Sequence, residues 1–318
     1  DGHAMALGEL QLTVTPEEEP VPLPLPTPVL TPDPGSEVSP EPSPSPIGAT
    51  PNFVGDSSSV EVIQDEQSVR VVGARGAVSI PLDAVDKVTL DNSSPETTRL
   101  SVSAEVRDLD IQIDSGSLVL EGSKIVGSTI EFSHGEDVQF VSTSKKIGGG
   151  TSILMSEGSD SVEIEAGKVN KSFFSTGEGG DDVLLGSSVR IKGSTFDLGK
   201  GTDTATIDGE IRRAKFELGK GADQITMAGK VKKAFVDLGN DKAVDVVSIA
   251  SEDLIRNKIV LSNFDKRDAL IIGDERFSYS DLKSGNPDRV SVSFRGETST
   301  IIPDVASDST ASTGFDFI

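Results

Sequence analysis

The chain has 318 residues, a net charge of −23 and a pI near 4.4, with no cysteine, no tryptophan, one tyrosine and two histidines. That length is ample for a buried core. The acidic balance argues against a general nucleic-acid binder, and the composition leaves no disulfides, thiolate metal sites or histidine triads. Such a balance instead suits solubility, high-salt surroundings or divalent cations.

No apolar run approaches the ~20 residues of a membrane helix, so membrane insertion is not expected. The first residues lack the charged and apolar regions of a secretory signal, and residues 1–4 read as a remnant ahead of a start at Met5. From residue 15 to 51 the chain is a proline tract, with Pro16, Pro20, Pro22, Pro24, Pro26 and Pro28 nearly alternating. Alternating X-Pro excludes helix and sets polyproline II, so residues 1–52 are expected to form an extended arm. Val21, Leu23, Leu25, Val29 and Leu30 give that arm apolar surface for an anchoring partner. An idle tail is the alternative.

Residues 53–99 alternate in hydrophobicity (Val60, Val62, Val69, Val71, Val78, Ile80, Val88, Leu90) around Gly73 and Gly76, which predicts an N-terminal β cap. Leu100 to Ile130 keeps the alternation without a Gly-Asp turn and reads as one or two coils lacking the motif. From there a turn recurs, each copy ending in aspartate: Asp137, Asp160, Asp181, Asp203, Asp223 and Asp245, with Asp268 closing a looser seventh. The successive differences are 23, 21, 22, 20, 22 and 23. So regular a step means one supersecondary unit stacked on itself.

The best copies align residue by residue. Phe196-Asp197-Leu198-Gly199-Lys200-Gly201-Thr202-Asp203-Thr204-Ala205-Thr206-Ile207 matches Phe216-Glu217-Leu218-Gly219-Lys220-Gly221-Ala222-Asp223-Gln224-Ile225-Thr226-Met227. Each unit reads as an alternating strand, a Gly-rich turn, a second alternating strand, and a short third segment such as 210–214. Frequent Gly, Thr, Val and Ile with an apolar period of two argue against helix. The expected fold is therefore all-β, a parallel β-helix (β-solenoid) of about seven to nine coils of ~22 residues over residues 100–275, with strand caps at both ends. Stacked at the ~4.8 Å strand spacing, Phe174, Phe196 and Phe216 form one interior column, and Leu198, Leu218 and Leu238 a second. Residues 276–318 fall out of period and read as a C-terminal cap and tail.

The Gly-x-Gly-x-Asp turns are the first candidate site. Paired glycines permit positive φ and aim carbonyls at a common point, and the aspartate adds a hard oxygen ligand. This nominates Asp181, Asp203 and Asp223 with Gly179, Gly201 and Gly221 for Ca²⁺. The structural alternative is aspartate capping turn amides. Thr176-Gly177-Glu178-Gly179-Gly180-Asp181-Asp182-Val183-Leu184 resembles the nonapeptide of RTX (hemolysin-type calcium-binding) proteins, and residues 198–206 and 218–226 match it more loosely. The resemblance implies stacked calcium turns on a secreted β-solenoid. It departs in two ways: this chain carries one turn per ~22 residues where RTX rolls carry two per coil, and Lys200 and Lys220 put a cation into two turns. The last residues, Gly314-Phe315-Asp316-Phe317-Ile318, resemble the uncleaved signal of type I secretion substrates. The layout is also similar to cyanobacterial exoproteins and to virion structural proteins of marine cyanophages, which implies an extracellular, cell-surface or virion location.

A second candidate is a basic column. Arg190, Arg212 and Lys232 each follow their aspartate by nine residues, joined by Lys192, Arg213 and Lys233 and preceded by Lys145, Lys146, Lys168 and Lys171. It reads as a stripe for an anionic glycan or an acidic protein surface, or as a solvated edge whose lysines block strand pairing. Catalysis is the weakest reading. A tailspike-like enzyme would pair carboxylates such as Asp181-Asp182 or Glu163 with Glu165. The absence of tryptophan and the single Tyr279 remove the aromatic platforms that sugar sites use. A non-enzymatic structural or adhesion protein is the expectation, with self-association left open.

Overall fold

The computed structural model describes residues 9–12, 53–56, 59–73, 76–81, 87–92, 98–113, 117–133, 137–251, 255–278, 289–295 and 298–303. The proline tract and the secretion-like tail lie outside them, as do His3, His134 and Tyr279. Among the described residues every regular element is a strand. The strands build a parallel β-solenoid of about seven turns, and successive coils lie about 22 residues apart.

Three faces make up each coil. On the first, the strand after each aspartate pairs in parallel with its counterparts above and below, so that Val183 pairs with Ala205, Ala205 with Ile225, Ile225 with Val247 and Val247 with Leu270. On the second, Ile125, Ile147, Val169, Ile191, Ile211 and Val231 follow one another in the same way. The third carries the aromatic file, from Ile111 and Ile130 through Ile153, Phe174, Phe196 and Phe216 to Val236 and Leu261.

The expected short third segment does not stand alone. Glu210–Glu217 is one strand that bends from the second face onto the third, and Asp182–Asp197 runs across all three. Bulges at these corners let the chain turn without leaving the ladder.

Alternation along each strand supplies the core. Val183, Leu185, Val189, Ile191, Phe196 and Leu198 of one coil point inward and are buried. All but Val189, which is paired with Gly167, lie over an apolar equivalent in the neighbouring coil, as the period of two and the strand spacing require. The phenylalanine column holds: ring centroids of Phe174 and Phe196 are 4.8 Å apart at 11°, and those of Phe196 and Phe216 are 5.3 Å apart at 13°. Leu198, Leu218 and Leu238 are likewise fully buried.

At the N-terminal end Ser59–Gln64 joins the first face by pairing in parallel with Thr98–Arg107. An antiparallel run through Ser68–Gly73 and Gly76–Pro81 builds on it. Lys87–Asn92 already belongs to the third face. Glu9–Leu12 pairs antiparallel with both Phe53–Asp56 and Lys87–Asn92. At the other end Arg289–Arg295 pairs antiparallel with Ile255–Ser262 and is followed by Thr298–Pro303. Glu275–Ser278 folds back on Ala269–Ile272. Antiparallel pairing at both ends stops the parallel ladder from propagating.

Phe196 sits between two stacked rings, so neither neighbour can collapse into the space it leaves. Phe196→Ala is expected to cost about 3–5 kcal/mol, read as a lowered denaturant midpoint with the slope unchanged.

Candidate functional site

The turn aspartates point inward. Asp160, Asp181, Asp203, Asp223, Asp245 and Asp268 are all buried, at 0–4% exposure. Each uses Oδ1 to accept the backbone N–H of the equivalent residue one coil earlier. Asp181 accepts from Asp160 (2.8 Å), Asp203 from Asp181 (2.8 Å), Asp223 from Asp203 (2.9 Å), Asp245 from Asp223 and Asp268 from Asp245 (both 3.0 Å). The first ladder carboxylate, Asp160, accepts from Val138 at 2.9 Å. Val138, not Asp137, therefore occupies the earliest position. Asp137 is exposed and instead accepts from the N–H of Ser159. The series is thus offset by one residue at its start, and the aspartates run from 160 to 268.

Alternation explains the inward aim: Asp203 precedes exposed Thr204 and buried Ala205, so it shares the core side of the pleat. The turn before it must be tight. Gly201 has φ +157° and Gly221 φ +130°, and a Cβ there would stand 1.3 Å and 1.4 Å from the carbonyl oxygens of Gly179 and Gly201. Only glycine fits such an approach. The turn also carries a backbone ladder of its own, in which Gly179 N–H donates to the carbonyl of Lys200 and Gly201 N–H to that of Lys220, while the N–H groups of Lys200 and Lys220 donate to the carbonyls of Gly177 and Gly199. Lys200 and Lys220 stack above Glu157 and Glu178 on the turn's outer surface, and Lys200 pairs with Glu178. The two lysines do not enter the turn interior.

For calcium, the nominated residues are brought into register, and Oδ1 of each aspartate is already engaged with the backbone of the preceding coil. Ca²⁺ takes six to eight oxygens. Four coils offer one buried carboxylate oxygen each without a partner, Oδ2 of Asp160, Asp181, Asp203 and Asp223. No group of three or more acidic or histidine side chains is placed to hold a metal among the described residues. As folded, the donor set fits a capping ladder better than a cation shell.

Burial, more than any neighbour, lifts these carboxyls above the ordinary value of 3.8. Asp160, Asp203 and Asp245 are pushed up to about 7 and Asp223 to about 6, against the lowering effect of the backbone N–H each accepts. Asp181 and Asp268 move in the same direction for the same reason.

The basic residues share the second face, but not in a single column. Register places Lys124, Lys146, Lys168 and Arg190 directly above one another, with Glu105 at the start of the file and Glu210 at its end. Arg212 is not level with Arg190, as the constant offset from the aspartate had implied. The corner from Leu185 to Ile191 spans six residues but that from Ile207 to Ile211 only four, so Glu210 takes the place below Arg190. Lys192 pairs instead with Arg213. Arg212 and Lys232 fall level because Ile211 pairs with Val231 and Ala214 with Ala234, which puts Arg213 level with Lys233 as well. A groove of about 400 Å³ lies on this face, lined by Lys146, Lys168, Asn170, Arg190, Lys192 and Arg212.

The terminal members of the file are paired, Lys124 with Glu105 at 3.5 Å and Arg190 with Glu210 at 3.7 Å; Arg212 also reaches Glu210 at 3.1 Å. Lys146 and Lys168, in the middle, make no ion pair among the described residues.

A second charged column was not anticipated. Asp197, Glu217 and Asp237 stack on the outer side of the third face. They are the acids of Phe-Asp-Leu-Gly, Phe-Glu-Leu-Gly and Val-Asp-Leu-Gly, so the repeat alignment already held the signal. Burial and then the like charge of Glu217 raise the Asp197 carboxyl.

Of the two proposed acid pairs, one comes apart by the same alternation. Asp181 is buried and Asp182 exposed, on opposite sides of the strand. Glu163 and Glu165 do share the outer side. Comparison with family models, curated proteins and solved structures finds no match, so the RTX and cyanophage resemblances rest on the quoted turns and layout alone.

The aspartate ladder carries a pH signature. Folded carboxyls with raised pKa bind protons that the unfolded chain has released, so their stabilisation is complete below about pH 4 and is lost as pH rises towards about 7. The thermal midpoint is expected to fall by several degrees between pH 5 and pH 8. Asp203→Asn, which keeps the acceptor and removes the charge, is expected to shrink that fall, as measured by calorimetry across the range.

Proposed function

We propose that this chain is a non-enzymatic structural and adhesion rod, displayed at a cell surface or on a virion and held there through its proline-rich arm. The observation that carries the reading is the cationic file on an otherwise acidic rod. Like charges in register at the ~4.8 Å strand spacing repel one another. A face that keeps Lys146 and Lys168 level without an acid between them is suited to an external anion. The turn aspartates serve the fold, since their oxygens hold the preceding coil. No helix of the described residues is long and apolar enough to cross a membrane.

The partner class this supports is an anionic glycan or an acidic protein surface gripped along the rod axis. The full chain is expected to be retained on a sulfated-dextran matrix and released by salt, because surface contacts of this type are screened within ~8 Å at physiological ionic strength. Lys146→Glu with Lys168→Glu should elute at clearly lower salt, and Lys232→Glu with Lys233→Glu slightly earlier than the parent. Retention equal in all three proteins would overturn the reading, as would turnover of a polysaccharide by the chain in a reducing-sugar assay.

Calcium binding by Asp181, Asp203 and Asp223 is the less favoured proposal. If the carboxylates cap backbone, the unfolding midpoint is the same with chelator and with millimolar calcium. A midpoint raised by calcium in the parent but not in Asp203→Asn would return these residues to a metal role.

A further inference from the structure

The rod carries two files of like charge on adjacent faces. Lys124, Lys146, Lys168 and Arg190 make the positive one on the second face. Asp197, Glu217 and Asp237 make the negative one on the third. Each spans consecutive coils, and each is internally repulsive.

Neutralisation within the rod is partial. Glu105 and Glu210 bracket the positive file, and Lys215 pairs with Glu217 within the negative one. Asp237 spends Oδ1 on the N–H of Gly239 and on Nδ2 of Asn263.

A partner that neutralises such a file must present opposite charges at the repeat of stacked strands. A flexible acidic peptide or an arbitrary surface meets that condition only after ordering, at a cost in entropy. A second copy of the same solenoid meets it without ordering, because both files are set by the same ~4.8 Å coil spacing. Asp197 lies on the coil of Arg190, and Glu217 and Asp237 on the next two. Sliding one rod by two coils, ~10 Å along its neighbour, therefore sets Lys146, Lys168 and Arg190 level with Asp197, Glu217 and Asp237.

We propose that the cationic file on the second face docks against the acidic file on the third face of another copy of this chain, so that rods associate side by side. The contact joins two different surfaces. Each docked rod keeps one file unsatisfied, so growth continues into a ring or an open array instead of stopping at a closed dimer. The proposal rests on the structural-rod reading and assigns the same file a partner that is the chain itself.

The whole-chain charge of −23 opposes approach at a distance. Association is therefore expected where salt screens long-range repulsion but leaves contact pairs intact, at about 0.15 M, and is lost near 1 M.

Sedimentation of the full chain, with no glycan present, tests this. The parent is expected to show a weight-average mass that rises with concentration up to about 0.1 mM. Two charge reversals, Lys146→Glu with Lys168→Glu and Asp197→Lys with Glu217→Lys, should each lose that rise. An equimolar mixture of the two reversed proteins should regain it, because each then retains one intact file facing an intact file on the other. Lys146→Gln with Lys168→Gln gives a neutral control that relieves repulsion within the rod, so it keeps the test decisive if a reversal fails to fold.

A parent that stays monomeric over the whole range overturns the proposal. So does association that survives both reversals. Retention on sulfated dextran together with a monomeric parent would assign the cationic file to a glycan and reject the docking, whereas self-association without retention would reject the glycan alone.

Discussion

Backbone hydrogen bonds that run from each coil to the next, parallel and in register, set the position of every side chain in this rod. Once Val183 pairs with Ala205 and Phe196 with Phe216, each residue lies above its equivalent at one strand spacing. Whatever the repeat places at a position is thereby multiplied into a column. Apolar positions become the core, and the phenylalanine stack at about 5 Å shows how closely that core follows the backbone repeat. The same multiplication applies to charges, with opposite energetic sign.

The aspartate ladder shows how a polar column survives inside such a core. A buried carboxylate is expensive unless it is hydrogen-bonded or neutral. Here each Oδ1 takes a backbone N–H at the corner where the chain leaves one face for another. The remaining cost appears as the raised carboxyl pKa, since the neutral form tolerates burial better. The neighbouring glycines belong to the same device. Gly201 and Gly221 bring the turn so close to the coil beneath that any side chain would strike a carbonyl oxygen.

Outside the core, stacking leaves the rod with faces of different character. Cations gather on the second face and acids on the third, separated along each coil by a single corner. A fold that repeats every ~22 residues cannot mix signs within a column unless the repeats diverge, as they do at Glu210. Extended surfaces of one sign are therefore built into the architecture, and their partners are best sought among extended or repeating molecules.

Much of this was legible in the sequence. A constant step, an apolar period of two and paired glycines ahead of aspartate pointed to an all-β solenoid, in which equivalent residues such as Phe174, Phe196 and Phe216 stack in file. The sequence also contained the acidic column, in the residue before each Leu-Gly. It did not reveal that Val138 stands where Asp137 was expected, or that Glu210 and not Arg212 lies below Arg190. Those placements depend on how many residues each corner uses: the steps of 22 and 20 residues differ by two, and the spacing alone does not say that the corner before Ile211 is the one shortened. Nor could the sequence choose between an aspartate that faces a cation and one that faces the backbone. That choice was made by the pleat, which turns Asp203 to the core and Thr204 to solvent, and by an N–H of the preceding coil that only the stacked structure brings within 2.8 Å of its carboxylate.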